Sequence, residues 1–151
     1  MAETLRGADD LADLTKALKA AGDGQLLKDL LAGVRKAGKP SIGAARAKAR
    51  SSLPSRGGYA AIVARQPIGV RTRTAGRQAG VRIAGPRGAG FAADINGVLR
   101  HPIYGRKDDT WASQSVPSGW FTKTIEDRSP VFRKDVEAAM RETAQRIERS
   151  V

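Results

Sequence analysis

The chain predicts an α+β fold: a small antiparallel sheet packed on a long C-terminal helix, with N-terminal helices to one side. Three patterns carry that prediction. Leucines recur at helical spacing over residues 11–34. Apolar residues and arginines alternate with a period of two between residues 68 and 84. Near the end, Phe132, Val136, Ala139, Met140, Thr143 and Ile147 form an i, i+4, i+7 stripe.

From the N-terminus, Asp9 to Ala21 places Leu11, Leu14 and Leu18 on one helical face, with Asp9 and Asp10 in a first turn where the helix dipole favours acids. Gly22-Asp23-Gly24 is a break. A second helix runs from Gln25 to Lys36 on Leu27, Leu30, Leu31 and Val34. It ends at Gly38-Lys39-Pro40, where glycine caps and proline forbids continuation. The pair forms either a hairpin or one broken rod. Ser41 is placed to cap a third helix, Ile42 to Ser51, made almost wholly of Ala, Arg and Lys. The short apolar run Tyr59 to Arg65 fits helix or strand. Two strands then flank a turn at Gly76 to Gly80, with Arg71, Arg73 and, across the turn, Arg82 on one face. Phe91 to Leu99 supplies a third strand.

Farther on, Trp120 to Asp127 reads as a short helix capped by Ser118. Ser129-Pro130 opens the last helix, with proline at a first-turn position where its missing N–H costs nothing. Glu137 with Arg141 and Glu142 with Arg146 have the spacing of helical ion pairs. The length of 151 residues fits a single domain. Within it, residues 1–55 form a helical region with a basic third helix, and residues 56–151 form the α+β body.

The segment 97–121, GVLRHPIYGRKDDTWASQSVPSGWF, concentrates the chain's few aromatic residues and its single His. Its prolines and glycines forbid one long helix or strand, so it reads as an ordered loop leaving a strand near Arg100 and entering a helix near Trp120. Tyr104, Trp111, Trp120 and Phe121 would anchor this loop in the core or at a subunit interface. His101 has no recognisable nucleophile or orienting carboxylate beside it and reads as a structural or surface histidine.

Charge is the other clue. The net of +12 is concentrated in residues 35–87, which hold thirteen basic and no acidic side chains. Such a block repels itself unless something compensates. It faces nucleic acid, pairs with an acidic neighbour, or is a solvated surface. The candidate residues are Arg46, Lys48, Arg50, Arg71, Arg73, Arg77 and Arg82. Arginine suits bidentate contact with phosphates or carboxylates.

Other classes are disfavoured. The chain has no cysteine, so neither disulfides nor thiolate metal sites are expected. No run of about 18 apolar residues predicts a membrane span. MAETLRGADD lacks the order of a signal peptide, so synthesis in the cytoplasm without export is expected. No phosphate-binding glycine loop, metal-ligand spacing or sequence-reading DNA motif is evident. Neither an enzyme nor a bound cofactor is expected.

LRHPIYG, then Trp111, Gln114 and SGWF, followed by the Ala-rich helix with Met140 and Ile147, resembles the neck or tail-completion proteins of long-tailed double-stranded DNA bacteriophages. The versions from phages of high-GC Gram-positive bacteria are the most similar. The resemblance covers roughly residues 50 to 150. It implies a structural virion protein that helps join the DNA-filled head to the tail, in a homo-oligomeric ring around the DNA channel. It implies other connector and tail proteins as partners, with packaged DNA met non-specifically, and, by analogy with the tail tube, sixfold symmetry. A small basic protein that binds nucleic acid on its own is the alternative.

Overall fold

A computed structural model describes residues 2–75, 80–103 and 110–150. The predicted elements at Tyr104 and Arg77 lie outside the described residues. The fold is α+β and mostly helical. In order it comprises α1 (Ala2–Ala20), α2 (Gly24–Ser52), a single turn of tighter helix (Arg56–Gly58), α3 (Tyr59–Ala64), β1 (Gly69–Arg73), β2 (Gly80–Ala84), α4 (Gly88–Asn96), β3 (Val98–Pro102), β4 (Trp111–Ser115) and α5 (Thr122–Ser150).

The chain groups into two compact units. The first holds Met1–Pro40, Gly69–Ala84 and Ser129–Val151; the second holds Ser41–Ile68 and Gly85–Arg128. Helices α2 and α5 each contribute to both, and each changes unit beside its internal proline, Pro40 and Pro130.

In the first unit, α1 and α2 pack through Leu11, Leu18, Leu26, Leu30 and Val34, with Val70, Val81, Val136, Met140 and Ile147 partly buried against them. The two helices therefore form a hairpin rather than a rod. Gly22, at φ 72, occupies the left-handed conformation that ends α1. The Asp23 carboxylate accepts a 2.9 Å bond from the Leu26 N–H and caps α2. Strands β1 and β2 pair antiparallel as predicted, Val70 opposite Ile83 and Arg71 opposite Arg82. Gly38 is buried where α2 meets this hairpin and α5, and a Cβ there would collide with Val70 Cγ2. The predicted stripe of α5 is the side that is shielded, with Thr143 fully buried.

Several expectations are corrected. Helix α1 begins at Ala2, so Asp9 and Asp10 fall inside it and not in its first turn. Pro40 does not end a helix: α2 runs through it to Ser52. The residues buried at 34, 38, 41, 45 and 49 continue one helical stripe across the proline, and burial outweighs the roughly 3 kcal/mol that an interior proline costs. Ser41 is consequently a buried helical residue (2% exposed) and not a cap. Likewise α5 runs unbroken from Thr122 through Pro130.

The remaining corrections concern the sheet and the aromatic segment. Residues 91–96 are helical: Gly90, Ala93 and Asp94 are buried at i, i+3, i+4, while Phe91 and Ile95 face outward. That spacing has a period of 3.6, not two. The predicted three-stranded sheet is therefore two separate two-stranded ones, β1–β2 and β3–β4. The aromatic segment is not a loop throughout, since its flanks pair as β3 and β4, Pro102 opposite Trp111 and Val98 opposite Ser115.

Candidate functional site

The second unit is built around the start of α5. Asp94, the lone acid in residues 30–107, lies on α4 and is 4% exposed. Its carboxylate accepts bonds from the N–H groups of Phe121 (2.7 Å) and Thr122 (3.1 Å) and from the Thr122 hydroxyl. Its main-chain oxygen accepts the Gly119 N–H at 2.8 Å. The first N–H groups of a helix have no partner within it, and here a side chain from a separate helix supplies one. Ser118, expected to do this, is exposed and upstream.

Each residue of the Gly-Trp-Phe triplet has its own reason to be there. Gly119 has φ 79, and a Cβ on it would sit 2.6 Å from the Lys123 stem. Trp120 is 1% exposed and donates its indole N–H to the Gly90 oxygen at 3.1 Å. Phe121 meets it edge to face, with centroids 5.8 Å apart, and its ring covers Gly85, where a Cβ would lie 2.7 Å from Cε1. These two rings are core anchors of the second unit.

Trp111 stands apart from them. It lies on β4 and is 52% exposed. The face of the hairpin that carries it also carries Val98 and Arg100, both exposed. Other large apolar side chains of this unit turn outward as well: Ile62, Phe91, Ile95 and Ile103. Phe91 and Ile95 lie one turn apart on α4. Sequence reasoning missed this pair because it placed them in a strand.

The basic candidates fall into two groups. Arg71, Arg73 and Arg82 are exposed on the β1–β2 hairpin of the first unit, with Arg71 directly across from Arg82. Among the described residues neither Arg71 nor Arg82 has an ionic partner. Like charges placed opposite each other on a sheet are destabilising, and an oxyanion between them would relieve this. Lys48 and Arg50 are exposed on the part of α2 that belongs to the second unit. Arg46 beside them is half-buried, with its Nε shielded from solvent. Arg146, expected to pair within α5, instead reaches Asp29 at 2.9 Å. That pair is solvated and contributes little.

Among the described residues no three His, Asp or Glu side chains come together as a metal site, and no helix is long and apolar enough to cross a membrane. No protein-family model, curated protein or solved structure matches the chain.

Proposed function

We propose that this chain is a structural protein of the phage neck, one subunit of a ring that joins the DNA-filled head to the tail and surrounds the DNA channel. The resemblance of LRHPIYG and SGWF motivates the reading. The observation that supports it best is how many large apolar side chains the second unit turns outward: Phe91, Ile95, Val98, Ile103 and Trp111. Groups of exposed large apolar residues mark surfaces that are covered in an assembly. A closed ring needs such a surface, because one face of each subunit docks on a different face of the next. The protein would be made in the host cytoplasm and act in the virion, without catalysis or cofactor. Its partners would be copies of itself in a sixfold ring, the neighbouring connector and tail proteins, and packaged DNA met through the Arg71–Arg82 side of the hairpin.

The Arg71–Arg82 pairing favours a second reading, a small basic protein that binds nucleic acid on its own. Electron microscopy of lysates from a phage deleted for this gene separates the two. The neck reading predicts DNA-filled heads and finished tails lying apart. Normal particles would remove it and leave autonomous DNA binding.

A further inference from the structure

We propose that the second unit carries a phosphate-binding site suited to one phosphodiester of a nucleic-acid strand. A cavity of about 560 Å³ lies between the last turn of α2 and the start of α5. Lys48 and Ser52 line it from α2, and Ser118, Lys123 and Asp127 line it from the α5 side, with Trp120 among the walls. Among the described residues, Lys48 and Lys123 have no carboxylate partner, and the Ser52 and Ser118 hydroxyls make no hydrogen bond. Two lysines and two free hydroxyls thus line one space, and donors of this kind are what an oxyanion satisfies.

The charge selects among phosphates. Asp127 is the carboxylate on this wall, and it too has no ionic partner among the described residues. Two ammoniums and one carboxylate leave one net positive charge, which matches a diester monoanion better than a phosphate dianion. The cavity is also larger than a lone phosphate needs and can take the adjoining sugar. The helix terminus itself does not carry the site, because Asp94 already occupies the Phe121 and Thr122 N–H groups. The recognition is by side chains, and it is indifferent to base sequence. The Lys123 stem passes directly over Gly119, where a Cβ would lie 2.6 Å from it and displace the lysine side chain.

The inference rests on the neck reading only in taking Lys48 as DNA-facing, and its test is made on the purified protein. A failed titration therefore leaves head–tail joining, read by microscopy, as it was. The full chain is titrated with a short DNA duplex and, separately, with inorganic phosphate, following the amide resonances of Ser52, Ser118 and Lys123. Duplex affinity is then compared between the wild type and the Lys48→Gln/Lys123→Gln double variant over a range of salt. Both lysines are exposed, so the variant keeps its fold. The expected result is a saturable shift of those amides by duplex, with about tenfold weaker binding in the variant. The slope of log affinity against log salt should also fall by about one. Amides unmoved by either probe, or an unchanged affinity and slope, would overturn the site. Saturation by inorganic phosphate that duplex does not displace would overturn the diester assignment in favour of free phosphate.

Discussion

The two units are held together by different means. The first is a leucine-stripe body: Leu11, Leu18, Leu26, Leu30 and Val34 fill it, and partly buried valines of the hairpin and of α5 close it. Its stability comes from apolar area removed from water, at about 1.5–3 kcal/mol per fully buried side chain. The second buries several alanines, Ala45, Ala49, Ala60, Ala64 and Ala93, beside Leu53, Val63, Ile68 and Leu99, with Trp120 and Phe121 as its largest buried side chains and Asp94 as its hydrogen-bonding centre. It turns many of its other large apolar side chains outward. Among the described residues, the first unit turns one large apolar side chain outward, Val131. The other keeps a surface for something else.

That contrast can be broken most forcefully at Trp120. Trp120→Ala removes the largest buried ring of the second unit and its bond to Gly90, and should cost about 3–5 kcal/mol in denaturant unfolding. A loss under about 1 kcal/mol would show that the unit does not depend on its aromatic plug. Asp94→Ala should cost about 2 kcal/mol, because it leaves the Phe121 and Thr122 N–H groups without their acceptor. Hydrogen exchange at those two amides reports the same loss directly, and unchanged protection there would contradict the capping role.

In the first unit the sensitive position is a glycine. Gly38→Ala forces a methyl against Val70 Cγ2 and should cost about 1–3 kcal/mol by overpacking. A neutral outcome would mean the leucine-stripe body yields more than its packing indicates. Smaller still is Tyr59→Phe. The Tyr59 hydroxyl is shielded from solvent and has no hydrogen-bond partner among the described residues, and burial raises its pKa above the usual 10.0. The unfolded chain ionises first, so stability is intact below pH 10 and declines as the pH rises through the folded value. The phenylalanine variant should match the wild type at neutral pH and lose that part of the alkaline decline; an identical alkaline profile would show that Tyr59 is not its source.

Much of the first unit was legible in the sequence, because its pattern is periodic and its residues are large. The α5 stripe and the Arg71–Arg82 face appear where spacing placed them. What misled was local punctuation. Pro40 and Pro130 read as ends of helices, yet both are spanned, since tertiary burial on either side outweighs one lost hydrogen bond each. The second unit was harder to read. On α4 the buried residues are Gly90, Ala93 and Asp94 while Phe91 and Ile95 face outward, so the large apolar residues do not mark the buried face and α4 passed for a strand. Asp94 had one available signal, its isolation as an acid within a basic stretch, but nothing local shows that its partners lie 27 and 28 residues ahead. The aromatic segment showed its content but not its split into a buried pair, Trp120 and Phe121, and an exposed Trp111.

That split offers the most direct test of the account. Trp111→Ser alters an exposed strand residue and should change stability by less than about 0.5 kcal/mol. The decisive measurement is complementation of the gene-deleted phage with this variant, scored by electron microscopy and by the yield of infectious particles. The account predicts a folded protein that leaves heads and tails separate. Full restoration of joined, infectious particles by Trp111→Ser would contradict the claim that the outward apolar residues of the second unit serve assembly.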